Sequence, residues 1–555
     1  MSDVVNIASR LSVMANKYPN QNAVIQALKT LKNGETTYRR LTFQELDDQS
    51  SRIAAGLLQR GFDPGMKLVL FVPFSIEFIT LTFALFKAGA VIVLIDPGMG
   101  RTNIFQCLEE VNPDGFVAVP LVQMIRLINR KKFSNAKFNI SSKFWTPGVI
   151  GRLKDLKSSE TENFKTFQAT KDDLAAVIFT SGSTGPPKGV AYEHGMFDAQ
   201  VEMIQSYYGI EEGEVDLPGF PMFGLFNAAM GVTTVIPEMD PTKPATVDPE
   251  KIIRDIRNQN VTQAFGSPAF WNRVGRYCVE HDITFPSLNR ALSAGGPVPL
   301  HVVEKMQKIL TKEGADIFTP YGATESLPVA SIAGADVLHK TAEQTRQGAG
   351  TCVGKCFPGV NVKIIQITEG ALDCIEEATE LPAGEIGEII VSSPSVTREY
   401  FQRPEPTRFS KITDGDQFWH RIGDVGYFDE EQNIWFCGRK AHIVEVEGER
   451  LYSVRCEAIF NEHADIYRSA LVGIGAKPNQ RPAIVVEPEA GQFPESNKGK
   501  EKLVTELLTL GQANAMTEKI QDVILHRSLP VDTRHNVKIN REALAVWAKE
   551  NLDKS

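Results

Sequence analysis

Buried strand patterns alternate with amphipathic helix patterns through the first hundred residues of this 555-residue chain. Residues 7–17 and 41–59 have helical periodicity, and residues 67–72 form a short apolar strand pattern. Because strands that are buried on both faces need helices above and below them, this alternation predicts an α/β fold with a mainly parallel sheet. From residue 360 to 391 the pattern becomes strand-like with intervening turns, which predicts an additional antiparallel subdomain.

Two local signals set element boundaries in this region. Thr42 is followed three residues later by Glu45, a pattern typical of a capping box at a helix start. The longest apolar run, residues 78–95, is interrupted by Lys87 and Gly89. It therefore predicts a helix over 77–87 followed by a buried strand, and no transmembrane segment. Residues 1–27 are polar and interrupted, so they do not predict a secretory signal.

The segment Phe-Thr-Ser-Gly-Ser-Thr-Gly-Pro-Pro-Lys-Gly, residues 179–189, follows an apolar strand pattern over 174–179. Glycines allow backbone N–H groups to approach an anion, hydroxyls donate hydrogen bonds, and Lys188 supplies positive charge. This composition predicts a phosphate-binding loop, although the spacing from Gly182 to Lys188 does not fit a Walker loop. A solvated turn between strand and helix is the alternative that the loop alone leaves open.

Composition excludes some classes of function. The net charge of −9 argues against general nucleic-acid binding. The seven cysteines have no regular spacing, which indicates reduced thiols in a cytoplasmic protein rather than a disulfide framework. Cys352 and Cys356 form a close pair, but no further cluster of ligands beside them predicts a metal site.

A basic segment over residues 121–138 has two interpretations. It is apolar on one side and carries five basic residues, namely Arg126, Arg130, Lys131, Lys132 and Lys137. Such a segment can make peripheral contact with a membrane surface. The interpretation that the pattern favours is a helix that covers the core with its apolar side and presents a solvated basic face.

The pattern changes after Cys437, and the last fifth of the chain predicts a small α+β unit. Its expected strands and helices are residues 469–473, 482–487, 500–511 and 517–525, the last two being helical.

Several segments, taken in order, resemble the adenylate-forming superfamily of acyl-CoA synthetases, luciferases and non-ribosomal adenylation domains. They are the loop 179–189, Gly295-Gly296-Pro297, Tyr321-Gly322-Ala323-Thr324-Glu325, Asp424 with Arg439, and Lys538. The resemblance covers nearly the whole chain. It implies ATP and Mg²⁺ as cofactors, an N-terminal domain over 1–437, a hinge over 438–442 and a C-terminal lid over 443–555.

The resemblance also implies roles for individual residues. The residues that hold the β- and γ-phosphates would be Thr180, Ser181, Gly182, Ser183, Thr184, Gly185 and Lys188. The residues around the nucleoside would be Gly295, Gly296, Pro297, Tyr321 and Gly322 at the adenine, with Asp424 and Arg439 at the ribose. Three residues would be catalytic: Thr324 at the α-phosphate, Glu325 as the Mg²⁺ ligand, and Lys538 bridging the α-phosphate and the substrate carboxylate.

The chain departs from the superfamily pattern at three places. In Phe220–Phe226 the expected histidine is replaced by Gly224, so Phe223 and Gly224 are predicted to line an enlarged acyl pocket. A backbone requirement for glycine is the alternative. The hinge reads Gly438-Arg439-Lys440-Ala441-His442 and lacks the usual acidic residues, which argues against lid rotation for a second substrate. The segment before Lys538 is two residues longer than usual.

These departures resemble the β-lactone synthetases of bacterial long-chain olefin biosynthesis. The resemblance implies activation of a 2-alkyl-3-hydroxy fatty acid as acyl-AMP, followed by attack of the 3-hydroxyl to give a β-lactone. It also implies other olefin-pathway enzymes as partners. Two alternatives stay open, namely a long-chain fatty acyl-CoA ligase and a catalytically inactive scaffold subunit. The base for the 3-hydroxyl proton is unassigned, since His194, His442 and His535 are each more often structural.

Overall fold

The computed structural model describes residues 5–30, 34–180, 186–531 and 538–553. The predicted phosphate-loop residues Ser181, Gly182, Ser183, Thr184 and Gly185 lie outside these ranges, as does His535. Within the described ranges, every helix is too short or too polar to cross a membrane.

The large N-terminal body contains strands and helices in alternation. Its strands are β1 (Asn22–Thr30), β2 (Thr36–Thr42), β3 (Lys67–Phe71), β4 (Val91–Ile95), β5 (Gly115–Ala118), β6 (Phe138–Ser141), β7 (Gly151–Arg152), β8 (Leu174–Thr180), β9 (Lys188–Glu193), β10 (Val215–Pro218), β11 (Thr233–Ile236), β12 (Gln263–Gly266), β13 (Arg290–Ser293), β14 (Asp316–Ala323), β15 (Ser326–Ala333), β16 (Thr351–Cys356), β17 (Asn361–Ile365), β18 (Gly387–Ser392), β19 (Lys411–Asp414), β20 (Gln417–Phe428) and β21 (Ile434–Arg439). Its helices are α1 (Ser9–Lys17), α2 (Phe43–Leu58), α3 (Ile76–Ala88), α4 (Arg101–Val111), α5 (Pro120–Ile128), α6 (Leu153–Leu156), α7 (His194–Tyr208), α8 (Pro249–Asn258), α9 (Pro268–Glu280), α10 (Leu300–Ile309), α11 (Gly334–Asp336), α12 (Ala342–Arg346) and α13 (Pro404–Ser410).

Two sheets organise this body. The first has the order β7-β6-β5-β3-β4-β8-β9 and is parallel except for the final hairpin of β8 and β9. The second is a 14-stranded sheet in which β1, β11, β10, β12, β13 and β14 are parallel neighbours, and antiparallel strands extend both ends. The predicted α/β fold with mixed sheets and an antiparallel subdomain is confirmed.

Local signals agree with the structure where they are strong. Thr42 caps α2, because its Oγ1 accepts a hydrogen bond from Glu45 N at 3.2 Å while Glu45 Oε2 accepts from Thr42 N at 2.8 Å. The apolar run 78–95 divides into α3 and β4, as its interruption by Lys87 and Gly89 predicts, and Gly89 ends the helix with a φ of 81°. This φ lies in the left-handed region, a backbone conformation that glycine adopts without strain.

The C-terminal part of the chain, from residue 444, forms a smaller α+β unit. It contains β22 (Val444–Val446), β23 (Glu449–Leu451), α14 (Ser453–Phe460), β24 (Ile466–Ile474), β25 (Arg481–Pro488), α15 (Asn497–Gln512), β26 (Asp522–Leu525) and α16 (Arg541–Leu552). The antiparallel pair of β24 and β25 is extended by β26, which runs parallel to β25. The strand β21 ends at Arg439, so the predicted hinge over 438–442 begins within β21 and continues into the segment before β22.

Two predictions of helices were wrong in part. Residues 517–525 are not a helix, since 522–525 are the strand β26. Asp522-Val-Ile-Leu pairs with the buried strand β25, and this tertiary pairing outweighs the weak helical pattern. In the basic segment 121–138, the helix α5 ends at Ile128, and a turn leads into β6 at Phe138.

Candidate functional site

The candidate site lies where the parallel strands of the second sheet end. Gly295 to Pro297 follow β13, and Tyr321 to Ala323 end the neighbouring strand β14. Thr324 and Glu325 form the turn from β14 to β15. Ligands of open parallel sheets bind beyond the carboxyl ends of the strands, because the loops there converge on one crevice. The topology therefore brings residues from separate segments to one edge.

A cavity of about 2120 Å³ occupies this edge and extends between the body and the C-terminal unit. It is lined by most of the predicted site residues, namely Phe223, Gly295, Gly296, Pro297, Tyr321, Gly322, Thr324, Glu325, Asp424, Arg439 and Lys538. Lys188 lies outside the lining, on β9, where its backbone pairs with Thr180 at the end of β8. The hairpin of β8 and β9 thus holds the two ends of the predicted phosphate loop side by side.

Asp424 is positioned by its neighbours on two strands. It lies on β20 directly opposite Arg439 on β21. Arg439 Nη1 donates to Asp424 Oδ1 at 2.5 Å, and Tyr321 Oη donates to Asp424 Oδ2 at 2.6 Å. Asp424 raises the pKa of Arg439, so this guanidinium stays charged. Each carboxylate oxygen accepts one of these hydrogen bonds and can accept a second one. Two such oxygens could therefore bind two vicinal hydroxyls.

Glu325 is held by a tyrosine that the sequence pattern did not indicate. Tyr400 Oη donates to Glu325 Oε1 at 2.7 Å, and Lys188 Nζ lies 4.8 Å from the centre of the Tyr400 ring. The Thr397 backbone N donates to the Glu325 carbonyl at 2.9 Å. Burial lowers the pKa of Lys411 to about 7, and the negative charge of Glu325 opposes that shift. Tyr400 thereby links Glu325 to the end of the phosphate loop.

The donor set around Glu325 fits Mg²⁺ bound together with a triphosphate. In the part of the chain that the structure describes, no group of three or more His, Cys, Asp or Glu side chains forms a metal cage. Mg²⁺ is usually bound by one or two carboxylates while substrate phosphates and water complete its shell. Glu325 would supply one such carboxylate.

Lys538 reaches the same cavity from the C-terminal unit. The chain around it is anchored on both sides: Val531 bridges to Ile539, and the Asn540 backbone N donates to the Pro530 carbonyl at 2.8 Å. Three residues beyond Lys538, Arg541 Nη2 donates to Glu457 at 2.6 and 2.8 Å, and Glu457 is 8 % exposed. These bonds set where the lysine enters the cavity.

The predicted hinge is tied to the body by Lys440. Its Nζ lies 3.2 Å from Glu388 Oε2 and also donates to the Thr368 carbonyl. Glu388 is 2 % exposed and is already paired with Arg421, whose Nη2 lies 2.6 Å from the same oxygen. The lysine therefore joins a buried ion-pair network directly between the strand β21 and the C-terminal unit.

One end of the cavity, where the acyl pocket was predicted, is apolar. Phe223 stacks on Phe265 with ring centres 3.6 Å apart, and the wall continues through Met222 and Phe226. Gly224 does not line the cavity. A Cβ atom at Gly224 would lie 2.4 Å from Cγ of Pro218, so its missing side chain faces the protein interior. The prediction that Gly224 enlarges the acyl pocket is corrected: close packing against Pro218 accounts for the glycine.

Replacing Gly224 by alanine is expected to lower the apparent melting temperature by several degrees. The added methyl group has to displace the Pro218 ring, and overpacking of this kind costs about 1–3 kcal/mol. Gly370→Ala is the matched control, because a Cβ there meets no atom within 4 Å. Differential scanning fluorimetry of both variants checks the expectation, and equal melting temperatures would contradict the packing explanation.

A buried polar pair in the cavity wall was not predicted from the sequence. Asp216 is 2 % exposed, and Asn227 Nδ2 donates to its Oδ2 at 2.6 Å. Burial raises the pKa of Asp216 to about 7, although Asn227 and Gln263 act in the opposite direction. No hydrogen bond within the described ranges reaches Asp216 Oδ1. A carboxyl group that titrates near neutrality thus lies among the apolar residues of this wall.

The histidines left open as bases differ in their surroundings. His194 is buried against Phe86, its Nδ1 accepts a hydrogen bond from Ile7 N at 3.4 Å, and burial lowers its pKa to about 4. It is a structural residue. His442 lines the cavity, and burial, together with the charge of Arg541, lowers its pKa to about 3, so its ring is neutral near pH 7.

Sequence comparisons place these features among known proteins. A family model described as AMP-binding enzyme matches residues 11–401. An olefin beta-lactone synthetase from Xanthomonas campestris pv. campestris is 42% identical over 558 residues, covering 99% of this chain and 98% of the relative. The olefin beta-lactone synthetase of Stenotrophomonas maltophilia is 41% identical over 563 residues, covering 100% of both chains.

The fold has a counterpart among solved structures. The crystal structure of ATP-bound MatB from Rhodopseudomonas palustris superposes with a TM-score of 0.77 at 21% identity and covers 99% of both chains.

Proposed function

The chain belongs to the AMP-binding enzyme family, and from this premise we propose that it converts a 2-alkyl-3-hydroxy fatty acid to a β-lactone. ATP is consumed, and AMP and pyrophosphate are released. The observation that carries the proposal is the identity of 42% over essentially the full length with an olefin beta-lactone synthetase. The cavity supports it, since one end is polar and the other is apolar.

The first half-reaction activates the acid. A carboxylate oxygen of the substrate bonds to the α-phosphorus of ATP, and the bond from that phosphorus to the pyrophosphate oxygen breaks. Lys538 would hold the carboxylate against the α-phosphate, and Thr324 would donate to that phosphate. Asp424 and Arg439 would orient the ribose. Glu325 would bind Mg²⁺, which when present neutralises charge on the phosphates.

The second half-reaction closes the ring. The 3-hydroxyl oxygen bonds to the acyl carbon, the bond from that carbon to the AMP oxygen breaks, and the hydroxyl proton is released. Because the nucleophile is part of the same molecule, no second substrate has to be bound and ordered. The predicted hinge, Gly438 to His442, supports this route, since it lacks the acidic residues that are usual there in the superfamily.

Incubation with ATP, Mg²⁺ and a racemic 2-alkyl-3-hydroxy acid is expected to yield the β-lactone, AMP and pyrophosphate without coenzyme A. Mass spectrometry of the lipid product and a pyrophosphate assay provide the measurements. The matched control is the same 2-alkyl acid without the 3-hydroxyl. Because its acyl-AMP cannot close a ring, the enzyme should release at most one pyrophosphate per active site and form no lactone.

The alternatives give different products. A long-chain fatty acyl-CoA ligase would form a thioester from a simple fatty acid, and only with coenzyme A. A catalytically inactive scaffold would release no pyrophosphate with any acid tested. Either outcome would contradict the proposal.

We also propose a cytoplasmic location and association with other enzymes of the olefin pathway. The location is supported by the cysteines, because all seven are free thiols. Association suits a strained product that the next enzyme consumes.

A further inference from the structure

The helix α5 presents its apolar side to solvent. Leu121, Met124, Ile125 and Ile128 are spaced as one helical face, and they are 70%, 40%, 37% and 78% exposed. The basic segment was predicted to cover the core with this face. That expectation was wrong, because the helix buries its polar side, with Gln123 and Arg126, and exposes its apolar side.

Hydrogen bonds of the opposite face explain this orientation. Gln123 is buried and its Nε2 donates to the carbonyls of Phe116 at 3.0 Å and Ile140 at 2.9 Å. Arg126 is buried beside it, where Nε donates to Gln123 Oε1 at 2.9 Å and Nη2 donates to the Gly148 carbonyl at 3.0 Å. Rolling the helix to bury its apolar side would leave these carbonyls without partners, which is costly in the interior.

The loop after β6 exposes two further apolar side chains. Arg126 connects α5 to the loop at Gly148, and in that loop Phe144 and Trp145 are 66% and 56% exposed. We call the six residues Leu121, Met124, Ile125, Ile128, Phe144 and Trp145 the α5 face. Large apolar side chains exposed together in one segment of a folded protein mark a site of interaction.

The segment that contains the α5 face is positively charged. Residues 120–150 contain six Lys and Arg residues and no Asp or Glu, although the whole chain has a net charge of −9. Of these six, Arg126 is buried and Lys132 pairs with Glu109. The other four, Arg130, Lys131, Lys137 and Lys143, are exposed and belong to no ion pair recorded in the described ranges.

The α5 face adjoins the acyl cavity. Leu121 and Val122 line its end together with Val72, Pro73 and Phe74. Leu121 therefore belongs both to the α5 face and to the cavity lining.

We propose that the α5 face docks on an anionic lipid bilayer, with α5 lying in the interface. Exposed Trp, Phe, Leu and Ile suit the boundary between headgroups and acyl chains, and the exposed Lys and Arg of the same segment suit anionic headgroups. A protein partner is the alternative occupant, and vesicle binding distinguishes the two. The proposal does not depend on the proposed function, since bilayer binding is measured without substrate.

Sedimentation with phosphatidylcholine vesicles, with and without phosphatidylglycerol, tests the proposal on the full chain. We expect the wild type to bind only the anionic vesicles and to be released by high salt. The variant Leu121→Asp/Ile128→Asp should bind at least about 10-fold less. Val546→Asp is the matched control, because Val546 is 62% exposed on α16, away from this face, and its variant should bind like the wild type.

Charge-reversal variants and the depth of Trp145 in the bilayer provide two further readouts. Lys131→Glu/Lys143→Glu should weaken binding, whereas Lys498→Glu in the C-terminal unit should not. Brominated lipids should quench the fluorescence of the wild type more than that of Trp145→Phe. The proposal would be overturned if the wild type stayed in the supernatant, or if the α5-face variant bound like its control. Self-association that the variant abolishes, without vesicle binding, would also overturn it and assign the face to a protein contact.

Discussion

Lys538→Ala is expected to slow ATP-dependent pyrophosphate release by at least about 100-fold, because an active-site donor aimed at developing charge contributes on that order. The lysine lines the cavity that Thr324 and Glu325 also line, although it belongs to the C-terminal unit. Its anchors, the Val531–Ile539 bridge and the Arg541–Glu457 ion pair, stay intact in the variant. The rate should therefore fall without a change in melting temperature.

The two half-reactions separate this role from a general effect on the lid. Lys538→Ala supplied with chemically prepared acyl-AMP should still release lactone, since the lysine is assigned to adenylate formation. Lys549→Ala is the matched control, because Lys549 is exposed on α16 in the same unit and should leave the rate unchanged. Retention of more than about a third of the wild-type rate by Lys538→Ala would contradict the assignment.

Asp424→Asn is expected to raise the KM for ATP by about 10- to 100-fold with a smaller change in kcat. Hydrogen bonds to a charged group contribute about 1.5–3 kcal/mol, and the amide keeps the shape of the carboxylate but removes its charge. In the wild type, Arg439 and Tyr321 each donate to one oxygen of Asp424. The variant should also lower the pKa of Arg439 from its raised value, because Asp424 is the main cause of that shift.

Initial-rate kinetics over a range of ATP concentrations measure this effect. Asp429→Asn is the matched control: Asp429 follows β20, accepts hydrogen bonds from Asn433 and Trp435, and lies outside the cavity lining. An unchanged KM for ATP in Asp424→Asn would remove the assigned role of Asp424 at the ribose.

The features that could be predicted from the sequence are local contacts and motifs shared with a known family. Thr42 and Glu45 are three residues apart, so the local sequence alone is enough to predict their capping box. The motif around Tyr321 and the position of Asp424 are recognisable because the family preserves their order along the chain. The cavity that gathers them follows from strands that end at one edge.

The failures have a shared physical cause. Periodicity shows which residues of α5 share a side, but the direction in which that side faces depends on carbonyls of β5 and β6. The strand β26 depends on pairing with β25, and Gly224 depends on the Pro218 ring. Tyr400 and Glu325 are 75 positions apart in the sequence, so no local pattern predicts the hydrogen bond between them.

The network of Glu388, Arg421 and Lys440 has a kinetic consequence. An enzyme that must swing its lid between two reactions has to break and remake contacts at the pivot in every turnover. Here Lys440, in the predicted hinge, is bonded to a carboxylate that is 2 % exposed, so a rotation that separated this buried ion pair would be costly. A substrate that carries its own nucleophile needs no swing, so turnover in this enzyme would be limited by chemistry or product departure rather than by reorientation of the lid.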